Sequence, residues 1–83
     1  MTRDQLRTIV LEELRRIAPE TEPGALRADR PLREQVDLDS MDWLNFLVAL
    51  HERLGVEIPE ADYAKLGTLE QILDYLVGKL GEA

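Results

Sequence analysis

The sequence predicts an all-α protein, a small four-helix bundle with three main helices and a short third one. Three observations predict it. Apolar residues recur at helical spacing in three separate stretches, and two of those stretches open on a capping box. No stretch alternates polar and apolar residues as a half-buried strand would. The length agrees, because 83 residues make one domain, residues 1–83, and 45% hydrophobic with 33% charged residues is a globular balance.

The first helix opens at Thr2 and Gln5, whose spacing lets the hydroxyl and the amide each satisfy a free backbone N–H. Leu6, Ile9, Val10, Leu14 and Ile17 form its stripe, Arg7, Glu12, Glu13 and Arg16 fall on other faces, and Pro19 stops it. Residues 19–38 read as one long connection, rich in turn and charged residues. Connections of that length in a small domain usually carry function. Leu26, Leu32, Val36 and Leu38 are expected to pin it to the core, with Arg27, Arg30 and Arg33 either paired with local acids or, the favoured reading, solvated.

The second helix starts at Asp39 or Ser40 and runs through Leu54, with Gly55 at the left-handed cap position. At roughly 100° per residue, Trp43, Phe46, Leu47, Leu50 and Leu54 share a core face. Asp42, Asn45, Ala49 and Glu52 lie opposite, with Met41 and Val48 at the edge and His51 on the surface. A short third helix is expected after Val56-Glu57-Ile58, opening with Pro59 at the first helical position and fading near Leu66-Gly67. Helices below about 12 residues are marginal alone, so this one should be the easiest to displace. The last helix opens on a second capping box, Thr68 with Gln71. Leu69, Ile72, Leu73, Leu76, Val77 and Leu80 form its buried stripe, and Gly81 closes it. Tyr63 and Tyr75 read as half-buried packing residues.

Composition narrows the function classes. Seventeen acids against ten bases give a net charge of −7. Residues 1–33 hold six acids and seven arginines, whereas residues 34–83 hold eleven acids against three bases. Such a surface repels phosphate backbones and anionic headgroups, so neither nucleic acid nor membrane is an expected partner, and basic patches on other proteins are. A core this small leaves little room for an enclosed active site with a lid. The chain has no cysteine, hence no thiol nucleophile or thiolate metal site. The charged start lacks the apolar stretch of a signal peptide, and a cytoplasmic location is expected.

The chemistry gathers at Asp37-Leu38-Asp39-Ser40-Met41-Asp42, where the long loop enters the second helix. As a local pattern this is a helix start, because Asp and Ser are favoured N-caps and early acids complement the dipole. It also sets one serine at a helix N-terminus, where free N–H groups and the dipole favour an attached phosphate, and the neighbouring acids oppose it unless a metal or a basic partner offsets them. A serine hydrolase needs a base, and His51 is about three turns away, so an enzyme that modifies Ser40 fits better than unaided attack by it. Calcium binding by Asp37, Asp39 and Asp42 lacks the glycine and distal glutamate of an EF-hand.

The order of features is a capped helix, a long loop, Asp39-Ser40-Met41-Asp42 opening a helix, Gly55-Val56-Glu57-Ile58-Pro59, a short helix and a final amphipathic helix. In that order the chain resembles the acyl carrier protein family over nearly its whole length. Asp39-Ser40-Met41 matches that family's Asp-Ser-Leu motif with one apolar swap. The resemblance implies that a phosphopantetheinyl transferase attaches phosphopantetheine from coenzyme A to Ser40, using magnesium. The arm's thiol would carry acyl groups as thioesters, the sulfur this chain lacks. Asp39 would orient the serine and the transferase's metal, with no metal of the chain's own. Met41, Asp42, Asn45, Val48 and Glu52 would face partners: the transferase, and enzymes with basic docking patches that load or modify the acyl group in fatty-acid, polyketide or related biosynthesis. Trp43, Phe46, Leu47 and Leu50 are acyl-pocket candidates, with Trp43 narrowing the mouth toward short or unusual cargo.

The chain itself would be a monomeric carrier and no enzyme. Asn45, His51 and Arg53 depart from the acids common in housekeeping fatty-acid carriers, which points to a specialised discrete carrier. Two alternatives stand beside it. An aminoacyl or peptidyl carrier usually has a neutral Gly-Gly-His/Asp-Ser context, unlike Val36-Asp37-Leu38-Asp39. A non-carrier acidic helical adaptor would use Ser40 only as a cap.

Overall fold

Thr2 Oγ1 accepts the Gln5 N–H at 3.2 Å, and Gln5 Oε1 accepts the Thr2 N–H at 2.9 Å, so the first capping box forms as its spacing predicts. It opens α1 (Arg3–Ile17) in the computed structural model, which describes residues 1–81. Leu6, Val10 and Leu14 are fully buried, as expected, and two residues outside the predicted stripe, Leu11 and Glu13, are nearly so. The reason is that α1 packs against two long helices at once, which widens its buried arc beyond one stripe.

Glu13 survives burial because it is paired. Arg53 Nη1 donates to Glu13 Oε2 at 2.8 Å and Arg53 Nη2 to Glu12 Oε1 at 2.9 Å. The bond from Glu13, then that from Glu12, raises the Arg53 pKa above its ordinary value.

Residues 19–38 are more ordered than one long connection. They contain a 3₁₀ turn at Pro23–Ala25 and a single helical turn, α2 (Leu32–Gln35). Gln35 organises them: its amide accepts the Arg27 N–H at 2.7 Å and donates to the carbonyls of Arg27 and Arg30 at 2.9 and 3.0 Å. Leu32, Val36 and Leu38 are buried and Leu26 is half-buried. Backbone bonds from Leu32 N–H to Gly67 O and from Glu70 N–H to Ala28 O fasten the loop to the approach to the last helix.

The longest apolar stretch forms α3 (Ser40–Leu54), closed by Gly55 at φ 65°, whose N–H donates to His51 O. Phe46, Leu47 and Leu50 are fully buried; Trp43 and Leu54 are half-buried. The expected third helix is instead a 3₁₀ segment, Glu60–Lys65, and Pro59 caps it in extended geometry rather than beginning it. None of its residues is fully buried. With Tyr63 the only large apolar side chain there, it lacks the stripe that would hold an α-helix, and tighter i to i+3 bonds suffice.

The second capping box opens α4 (Leu69–Leu80), and Leu69, Ile72, Leu73 and Leu76 enter the core. Val77 is only half-buried and Leu80 is exposed, because the last turn runs past the buried cluster. Among the described residues no strand forms; the only pairing of that kind is an isolated bridge between Pro31 and Thr68. The result is the all-α bundle predicted, with α1, α3 and α4 around one core.

Candidate functional site

Buried Leu38 anchors the chain immediately before α3, and buried Phe46 and Leu47 anchor it a turn and a half later. Between them Asp39 takes an extended conformation and its Oδ1 accepts the Asp42 N–H at 2.8 Å, which makes it the N-cap. Ser40 is therefore the first residue of the helix, and it is exposed. The N–H groups of a first helical turn lack intrahelical partners and lie at the positive end of the dipole. A phosphodiester on the Ser40 hydroxyl would meet that end, with no buried side chain to move.

Asp37 and Asp39 are exposed and Asp42 is half-buried rather than fully solvated. Among the described residues no group of three or more His, Asp or Glu converges on a single metal position.

The outer face of α3 is more apolar than its charges suggest. Met41, Leu44 and Val48 are 64%, 42% and 39% exposed, an unbroken stripe leading away from Ser40. Leu44 is the residue that the sequence reading missed. Its signal was the i, i+3, i+7 spacing from Met41 to Val48. Asn45 and Glu52 are exposed beside that stripe, and with Ala49 they line a shallow groove toward α1, opposite Glu13, Arg16 and Ile17.

Two of the three departures from the common acidic pattern are engaged in contacts within the chain. Arg53 is committed to Glu12 and Glu13 of α1. His51 is exposed, but its Nδ1 lies 2.6 Å from Val56 O, so that nitrogen carries the proton and donates. Asn45 is exposed beside the stripe.

The four acyl-pocket candidates separate. Trp43 is half-buried, its ring centroid 5.3 Å from that of Phe46 at a tilt of 38°. Phe46 and Leu50 are packed core. Leu47 alone of the four reaches a recess of about 160 Å³ between α3 and the 3₁₀ segment, lined by Leu47, Val48, His51, Glu57, Ile58 and Tyr63. The recess is small.

Comparison with known proteins decides what this arrangement is. The sequence family described as the phosphopantetheine attachment site matches residues 4–76. The chain belongs to the acyl carrier protein family. The acyl carrier protein of Thermosynechococcus vestitus is 30% identical over 74 residues, covering 86% of this chain and 91% of that one. The acyl carrier protein of Campylobacter hominis is 29% identical over 73 residues, 88% and 86% of the two chains. A solution structure from Anaplasma phagocytophilum, assigned to the acyl carrier proteins, superposes with a TM-score of 0.87 at 26% identity. It covers 100% of this chain and 97% of that one.

Acyl carrier proteins hold acyl groups on a covalently attached phosphopantetheine, and this chain does the same. The family carries rather than catalyses, and its members meet phosphopantetheinyl transferases and acyl-handling enzymes. The exposed hydroxyl at a helix N-terminus fits the prosthetic group.

Proposed function

We propose that Ser40 is the phosphopantetheine attachment point of an acyl carrier domain, with Asp39 as the residue that presents it. The observation that carries this reading is the exposure of Ser40 as the first residue of α3, capped by Asp39. When attached, phosphopantetheine supplies the thiol that holds acyl groups, which a chain without cysteine cannot supply itself. What the chain's own residues do is position it. Leu38 and Phe46 fix the helix start, and the Asp39 cap orders the first turn. The apolar stripe of Met41, Leu44 and Val48 gives partner enzymes a surface to grip next to the arm.

Asp42, Asn45 and Glu52 border that stripe, and an apolar strip among polar residues suits brief encounters with basic partner patches. Phosphopantetheinyl transferase and acyl-loading or acyl-modifying enzymes are the partners we assign to it. Asn45, in place of an acid, supports a specialised pathway carrier over the central fatty-acid one. Trp43, half-buried one turn past Ser40 with its ring tilted against Phe46, is the residue we assign to restricting an acyl chain that enters between helices. No helix among the described residues is long and apolar enough to cross a membrane. We place the carrier in the cytoplasm as a monomer.

Intact-mass measurement tests the attachment. Incubation of the apo chain with coenzyme A and a promiscuous phosphopantetheinyl transferase should add one phosphopantetheine. Ser40→Ala should add none while keeping its helical circular dichroism. A gain that persists in Ser40→Ala moves the site elsewhere, and no gain with any transferase leaves Ser40 as merely the first residue of a helix capped by Asp39.

A further inference from the structure

The strap between α3 and α4 is fastened firmly at its two ends and lightly between them. At its start Gly55 turns the chain, Val56 is buried, and Val56 O accepts from His51. At its end Leu66 is fully buried. Between these points no residue of Glu60–Lys65 is fully buried. One side chain of α4 reaches across to this middle portion: the Tyr75 hydroxyl donates to Asp62 Oδ2 at 2.6 Å and lies 3.4 Å from Glu57 O. Lys65 Nζ occupies the other carboxylate oxygen, Asp62 Oδ1, at 3.3 Å. Lys79, one turn further along α4, places its ammonium 5.4 Å from the centre of the Tyr75 ring.

Glu57, Ile58 and Tyr63 of the strap form one wall of the recess whose other wall is Leu47, Val48 and His51 of α3. Tyr75 thus grips the strap at residues 57 and 62, on both sides of Ile58, the side chain facing that recess. We propose that the Tyr75–Asp62 hydrogen bond is a latch that sets the width of the recess between α3 and the strap. With the bond made, the strap is held to α4 and the recess stays narrow. With the bond broken, the strap is free to swing from its fixed end at Val56, and the recess widens. A short bond to a charged acceptor is among the stronger side-chain bonds, and the apolar side chains that share the restraint, Ile58 and Tyr63, are only half-buried against the core. This inference requires the fold alone and stands whether or not Ser40 carries the prosthetic group.

Amide hydrogen exchange on the apo chain tests it, because local opening is read residue by residue. Tyr75→Phe keeps the ring and removes only the hydroxyl; Asp62→Asn removes the charged acceptor. Each should speed exchange of the amides in residues 60–66 about tenfold, the size expected for losing one such bond. Exchange in residues 46–54 of α3 should not change, and the double variant should exchange no faster than either single one. Unchanged exchange in residues 60–66, acceleration spread equally through α3, or additive effects in the double variant would each overturn the latch. Should one single variant fail to fold, the other decides.

Discussion

Glu13 shows how much a single side chain depends on its surroundings. Its carboxylate is almost fully buried, with Arg16 one turn away on one oxygen at 3.4 Å and Arg53, from 40 residues away in the chain, on the other at 2.8 Å. Removing a partner from a buried charge costs more than replacing the charge by an apolar group of similar size. Arg53→Ala should therefore lower the thermal midpoint, while Glu13→Leu should lower it less or raise it; scanning calorimetry of the two variants compares them. Equal losses would mean that the pair, not its desolvation, sets the balance. Nothing in the sequence marks Glu13 as buried, because its burial depends on which helices flank α1. Ser40 is the opposite case. Its exposure follows from Asp39 capping the next residues, a matter settled within four positions and readable directly.

Among the elements, α3 ends on a backbone geometry that only glycine adopts without cost. Gly55 has φ 65°, and a Cβ built there would meet nothing within 4 Å. Gly55→Ala should thus cost about 1 kcal/mol, all of it conformational, measurable by urea denaturation with an unchanged m-value. A larger loss would reveal a contact that the free space does not predict.

The strap carries a pH signature of its own. The hydrogen bond from Tyr75, ahead of that from Lys65, holds the Asp62 carboxyl below its ordinary value, against the opposing effect of its burial. Burial, then the bond to Asp62, pushes the Tyr75 phenol up to about 12. The Asp62 contribution is present above the ordinary carboxylate value near 4 and is lost as pH falls through the depressed folded value. The Tyr75 contribution is intact below pH 10 or so and is lost as pH rises toward about 12. Denaturation curves of Tyr75→Phe should be flatter than those of the unmodified chain in both windows, with Lys65 and Lys79 still facing Asp62 in each. Identical pH profiles would show that the phenol contributes nothing to either.

For the whole molecule the relevant length is set by its size. The chain extends 31 × 26 × 21 Å. Charge interactions reach about 30 Å at 0.01 M salt but only about 8 Å at 0.15 M. At low salt, repulsion among the eleven acids of residues 34–83 therefore acts across the entire molecule. The ion pairs present, such as Arg3 with Asp74 and Arg27 with Asp29, are mostly exposed and contribute little each. Raising sodium chloride through that range should raise the thermal midpoint. A midpoint that falls with salt would mean that the pairs outweigh the repulsion.

Local rules carried the sequence reading a long way. Both capping boxes, the Asp39 cap, the Gly55 stop and the core stripes of α1, α3 and α4 depend on residues three or four apart, and spacing alone specifies such contacts. Ser40 and its exposure belong to that class. The sequence could not supply what depends on neighbours distant in the chain. Glu13 is buried because α3 supplies Arg53; Leu80 is exposed because the core ends before it. Residues 60–65 wind as a 3₁₀ segment because too little apolar surface is available to hold a wider helix. Tyr75 became a clasp on that segment, rather than one more packing residue, only when the fold brought α4 alongside it. Helix starts and stops are decided by hydrogen bonds within a turn, whereas burial and pairing are decided by which surfaces meet.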